Sequence, residues 1–143
     1  MASKASAVWT GAMKEGKGTI STATGALKNA NYSFATRFEG ATTGTTPEEL
    51  IAAAHASCYS MALSHQLDSA GFKPERVETQ AAVTLAKTDS GFSVTKIALT
   101  TKAKVTGASK QDFDKAAADA KAGCPISKLF ANNTEITLDA TLE

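Results

Sequence analysis

Arginine is scarce in this chain: two residues, Arg37 and Arg76, stand against 13 lysines in 143 positions. There is no excess of one charge, the net being +1, and no basic run; with few aromatics, nothing in the chain suits a nucleic-acid partner. No apolar run approaches the roughly 20 residues a helix needs to cross a bilayer, so no membrane partner is expected. The amino terminus, "MASKASAVWTG", lacks the apolar centre of a secretory signal, which makes a cytoplasmic location the expectation. No CxxC, HExxH, GxGxxG or GxxxxGK[ST] pattern occurs. Most cofactor-bound enzyme classes are thereby disfavoured, and neither a bound cofactor nor a metal is expected. Large apolar side chains are also few. Leu, Ile, Val and Phe number 25, whereas alanine alone supplies 28. A core that thin is best completed by a second copy of the chain, so a homodimer is expected.

What is present is regular. "AVWTG", "EGKGTISTATG" and "NANYSFATRFEG" alternate and are punctuated by glycine, predicting three antiparallel strands, with Arg37 at a strand end. Thr46, Pro47 and Glu49 form a helix start, and alanine-rich sequence runs to Ala70 before Gly71. Val77, Thr79, Ala81, Val83 and Leu85 alternate, as do Thr95, Ile97, Leu99, Thr101, Ala103 and Val105; "DSG" lies between them, predicting a long hairpin. Ser109 and Asp112 frame a further helix, expected to extend to Ala122 and stop at Gly123. Pro125 starts a short one with Cys124 at its N-cap, and Ile136 to Leu142 alternate as a last strand. The fold class is therefore α+β: a mostly antiparallel sheet packed on a long central helix, in a single domain over 1–143.

The two cysteines stand 66 positions apart, Cys58 in the apolar middle of the long helix and Cys124 in "AGCPIS". Cys58 reads equally as a small apolar filler at a close helix contact or as a nucleophile. A thiolate at position 124 gains from the helix amides and dipole, whereas one at position 58 gains from a helix terminus nothing; local physics gives Cys124 the lower pKa. His55 and His65 share a side of the helix with Cys58, along with Ile51, Ala54 and Ala62. That leaves open a Cys–His hydrolase pair, a site of two Cys and two His for a metal, or histidines that only pack.

"RFEG", "TPEELIAAAHASCYSMALS" and "KAGCPIS", with the "AVWTG" and "GKGTISTATG" opening, closely resemble the OsmC/Ohr family of thiol peroxidases, in particular its OsmC branch. The resemblance covers essentially the whole chain and implies an OsmC-like fold in an intertwined homodimer. It implies Cys58 as the peroxidatic thiolate, Cys124 as the resolving thiol, Arg37 polarising the peroxide and Glu48 holding Arg37. Organic hydroperoxides are the implied substrates, with hydrogen peroxide poorer, and dithiols such as lipoyl-bearing proteins the implied reductants. A non-catalytic module of the same fold, with Cys58 lining an apolar pocket, is the alternative.

For Cys58 to be the nucleophile, a cation must outweigh its mid-helix position. A charge at 4 Å is worth about 4 kcal/mol at an effective dielectric near 20, against roughly 0.3–1 and at most about 2 kcal/mol from a helix terminus. Glu48 precedes Cys58 by ten residues, or about 15 Å of helix. Two antiparallel copies of the helix, packed across a dimer interface, would instead bring Glu48 and Arg37 of one chain to Cys58 of the other. In that reading His55 and His65 carry no catalytic step.

Overall fold

The computed structural model describes all residues, 1–143, as six strands and four helices. They belong to two compact units, Met1–Leu50 and Ile51–Glu143.

In the first unit β1 (Ala5–Thr10), β2 (Lys17–Thr22) and β3 (Ala30–Tyr32) form an antiparallel sheet in that order. Gly18 pairs with Trp9 on one side and Tyr32 on the other. A Cβ at Gly18 would lie 2.2 Å from the Tyr32 ring, so only glycine lets the ring lie across that strand. Trp9 and Tyr32 meet at 5.4 Å between centroids. β1 is exposed along its length, Val8 and Trp9 included.

The third expected strand is shorter than its alternation predicts. After Tyr32 the chain turns into a helix, α1 (Phe34–Phe38), which places Arg37 in a last helical turn instead of at a strand end. The cause is local: Ser33 accepts from the Thr36 amide at 3.1 Å while the Ser33 amide donates to Thr36 Oγ1 at 2.9 Å, a reciprocal capping box. Gly40, at φ +70, takes the chain out of it.

α2 (Pro47–Ser69) has 23 residues and starts where expected, with the Glu49 amide donating to Thr46 Oγ1 at 3.0 Å. The Glu49 carboxylate does not complete the box; it accepts from Thr45 Oγ1. Gly71, at φ +90, follows the helix end. In the second unit β4 (Pro74–Thr88) and β5 (Gly91–Val105) are paired antiparallel strands of 15 residues each. Val77, Thr79, Ala81 and Val83 turn inward and their neighbours outward, as the alternation predicts; a register shift between Thr84 and Leu85 then interrupts it, and Leu85 and Ala86 are both half-buried. α3 (Lys110–Gly123) is capped by Ser109, which accepts from the Asp112 amide at 3.1 Å. α4 (Pro125–Phe130) follows, and β6 (Glu135–Leu142) adds to β5 in parallel. Each sheet is thus antiparallel apart from that one pairing. The second unit's core joins Tyr59, Leu63 and Leu67 of α2 to Ile97 and Leu99 of β5 and to Phe113, Ala117 and Ala120 of α3, all essentially buried. No helix is long and apolar enough to cross a membrane.

Candidate active site

Four side chains were expected to carry chemistry, and they form two pairs. In the first unit Arg37 and Glu48 are joined by a forked ion pair. Arg37 Nη2 lies 2.6 Å from Glu48 Oε1, and Arg37 Nε donates to Oε1 and Oε2 at 3.1 and 3.3 Å. Both helices favour the arrangement: the guanidinium belongs to the last turn of α1 and the carboxylate to the first turn of α2, where the helix dipoles are complementary. Glu48 is buried, whereas the Arg37 side chain keeps 37% of its surface exposed. The guanidinium also lies over the Phe38 ring, 5.4 Å from its centroid. A cation is held in a fixed direction with part of its face open.

In the second unit the sulfurs of Cys58 and Cys124 are 3.0 Å apart, and both thiols are free. Cys58 is half-buried and Cys124 fully buried. Burial pushes the Cys58 thiol up, and the neighbouring Cys124 adds to that. For Cys124 burial acts in the same sense. Hydrogen bonds from Cys58, from the Ser127 amide and hydroxyl and from the Ile126 amide outweigh it, and they bring that thiol below its ordinary value. Within the chain Cys124 is thus the more acidic thiol, as local physics predicts. Cys124 sits at the N-cap of α4, although its sulfur makes no capping bond of regular geometry there.

The histidines part company. His65 lies two turns after Cys58 on the same side of α2, as expected, but it is exposed where Cys58 is half-buried. Ala54 is exposed as well. The long helix puts His55, Tyr59, Leu63 and Leu67 inward, so its buried stripe runs one position off the one centred on Cys58. His55 is fully buried, its Nε2 2.7 Å from Ser127 Oγ, and its Nδ1 has no partner. Burial depresses its pKa. Tyr59 is buried too and donates to the Ala117 carbonyl at 3.1 Å. No group of three or more His, Cys, Asp or Glu side chains is arranged to hold a metal ion, so the two cysteines and two histidines do not form a ligand set.

Ser127 was not foreseen; His55 packs inward, one of the readings its spacing left open. Ser127 is three residues after Cys124, the N3 position of α4, and that C-x-x-S spacing was a usable signal. A cavity of about 570 Å³ is lined by Ser127, Lys121, Lys128, Ile136 and Leu138 among others, and neither sulfur lines it.

Residues 39–139 match the family model described as OsmC-like protein. The chain is 51% identical over 140 residues to peroxiredoxin OsmC of Escherichia coli, covering 98% of this chain and 96% of that one. It is 33% identical over 101 residues, 69% of each chain, to organic hydroperoxide resistance protein-like 2 of Staphylococcus epidermidis. In three dimensions it is similar to the organic hydroperoxide resistance protein OhrB of Bacillus subtilis. That likeness has a TM-score of 0.73 at 25% identity, with 96% of this chain and 97% of that one covered. Sequence and fold agree: the chain belongs to the OsmC-like protein family, in the OsmC branch of OsmC and the organic hydroperoxide resistance proteins.

Proposed function

We propose that this chain, a thiol-dependent peroxidase, reduces organic hydroperoxides through Cys58 and closes a disulfide to Cys124 in each turnover. The observation that carries the reading is the approach of two free thiols to 3.0 Å, one half-buried and the other fully buried. In the first step the Cys58 thiolate attacks the terminal peroxide oxygen. The O–O bond breaks, an alcohol leaves, and Cys58 becomes a sulfenic acid. The thiolate of Cys124 then attacks that sulfur, the S–S bond forms, and the hydroxyl departs as water. A dithiol reopens the bridge and is itself oxidised to a disulfide. Dihydrolipoyl groups on carrier proteins are the proposed donors, since a small paired thiol on a flexible arm can reach a half-buried sulfur.

The Cys58 thiol is pushed up within one protomer, so its ionisation requires a cation. Arg37, fixed by Glu48, is the proposed cation, donated by the partner chain of an intertwined homodimer in which α2 is central. The exposed β1, with Val8 and Trp9, and Met61, 76% exposed on α2, support such a partner. The whole chain would act as one OsmC-like domain, in the cytoplasm. Organic hydroperoxides as substrates rest on the kinship to organic hydroperoxide resistance proteins.

Steady-state consumption of tert-butyl hydroperoxide with dihydrolipoamide as reductant tests this reading. Turnover should be abolished in Cys58→Ser, weaker with hydrogen peroxide, and slower with a monothiol. A reduced wild-type protein that consumes no peroxide would leave the non-catalytic binding module as the better account.

A further inference from the structure

His55 and Ser127 are buried beside the two thiols, and neither reacts with peroxide. His55 is 0% exposed and Ser127 3%. The His55 Nε2–Ser127 Oγ distance of 2.7 Å is that of a good hydrogen bond, and Ser127 lies one helical turn after Cys124. His55 Nδ1, by contrast, has no partner. That asymmetry fixes the tautomer. A proton on Nδ1 would leave a buried N–H unsatisfied, whereas an unshared lone pair there is less costly. The proton therefore belongs on Nε2, which donates to Ser127 Oγ. The serine hydroxyl, its oxygen engaged as acceptor, keeps its own hydrogen to give, and it is among the groups that bring the Cys124 thiol, one helical turn before it, below its ordinary value. Two hydrogen bonds in that sense would polarise each other.

We propose that His55 is a positioning residue which holds the Ser127 hydroxyl as a donor to Cys124, so that Cys124 serves as resolving nucleophile and later as leaving group. This rests on the peroxidase reading and deepens it. In resolution the Cys124 electron pair forms the S–S bond as the S–O bond of the Cys58 sulfenic acid breaks. The departing hydroxide takes up the proton that Cys124 released, giving water. Serine and histidine begin and end neutral, so no net proton passes through them. In the reverse sense access decides the chemistry. Cys58 is the sulfur a reductant can reach and Cys124 is fully buried, so attack at Cys58 expels Cys124 as a thiolate onto the same donors. Burial keeps His55 neutral, which suits a donor of this kind, and the acidic direction of Cys124 agrees with it.

The test separates the two chemical steps. Reduced full-length protein is mixed with one equivalent of tert-butyl hydroperoxide and quenched at intervals. Sulfenic acid is trapped with dimedone, and disulfide is counted by intact mass. Ser127→Ala should slow disulfide closure about tenfold, the worth of one hydrogen bond to a charged group. Formation of the sulfenic acid should change less than about twofold, and Ser127→Thr, which keeps the hydroxyl, should restore closure. His55→Phe should act in the same direction as Ser127→Ala, and His55→Gln, which keeps a donor, should be milder.

Independently of peroxide, the thiolate absorbance of Cys124 is titrated in the Cys58→Ser background. Cys58 and Tyr59 are the titratable groups that interact with this sulfur, with His55 one hydroxyl away. Adding Ser127→Ala should raise the midpoint by about one unit. Equal slowing of both steps, or an unmoved midpoint, would overturn the proposal, because a merely structural serine would behave so. If no sulfenic acid forms in wild type, the peroxidase reading fails, while the titration still decides whether Ser127 and His55 act on Cys124.

Discussion

Arg37 and Glu48 are bound through both Nε and Nη2 of the guanidinium, with the shortest contact 2.6 Å. Such a fork fixes the plane of the cation as well as its place. With the guanidinium exposed on one side, the pair contributes roughly 1 kcal/mol or less to stability, and its value lies in orientation. Glu48→Gln should therefore leave the melting temperature nearly unchanged while lowering the rate of Cys58 oxidation. Arg37→Ala should reduce that rate by about 10²–10³, the usual loss for one oriented donor. Arg37→Lys, which keeps charge and loses the fork, should fall between wild type and Arg37→Ala. Stopped-flow peroxide oxidation beside thermal melts checks all three.

If Arg37 serves the partner's Cys58, two inactive variants should complement each other. Cys58→Ser and Arg37→Ala chains, unfolded together and refolded as mixed dimers, should regain close to half the activity per mixed dimer. One intact site then combines the cysteine of one chain with the arginine of the other. Activity no greater than that of the separate variants would assign Arg37 and Cys58 to the same chain.

His55 gives stability a pH dependence whose sign can be worked out. Burial depresses its pKa below 6.5, so as pH falls through about 6.5 the unfolded chain takes up a proton that the folded chain refuses. Stability from this group is intact above that pH and declines below it, until the lowered folded-state pKa is reached. Chemical denaturation at a series of pH values should show the decline beginning near 6.5. His55→Gln should flatten that portion of the curve without altering the acid limb below about pH 5, where carboxylates dominate.

Tyr59 ties α2 to α3, its hydroxyl donating to the Ala117 carbonyl inside the core. Tyr59→Phe should cost about 1 kcal/mol, read as a shift of the denaturation midpoint with unchanged slope. Leu63→Ala, which opens a cavity in the same core, should cost about 2–5 kcal/mol.

Much of the fold was legible because the relevant signals are local and repeated. The β4–β5 hairpin follows from eleven alternating side chains and a two-residue turn, and α2 from its cap and its glycine stop. α1 was not legible as read. Five residues carry too little periodicity to outvote the alternation of Tyr32 and Phe34, and only the S-x-x-T box marked the turn into a helix. The parallel pairing of β6 depends on the crossover through α3 and α4, which no pattern within β6 reveals. At the candidate site, the pairings Cys58–Cys124 and Arg37–Glu48 followed from a family resemblance; spacing alone left hydrolase and metal readings open. His55 shows the limit of a helical wheel. One position of rotation decides whether a side chain faces a core or a solvent, and a wheel centred on Cys58 does not show that the buried stripe is displaced from it, leaving His55 inside and His65 outside.

The central claim, that Cys58 is oxidised first and Cys124 resolves it, is tested most directly by intact mass. Reduced wild type, Cys58→Ser and Cys124→Ser each receive one equivalent of an organic hydroperoxide with no reductant present. The account predicts a loss of two hydrogens in wild type, one added oxygen held on Cys124→Ser, and no change in Cys58→Ser. Oxidation that persists in Cys58→Ser would contradict it, making the more acidic Cys124 the thiol that meets the peroxide.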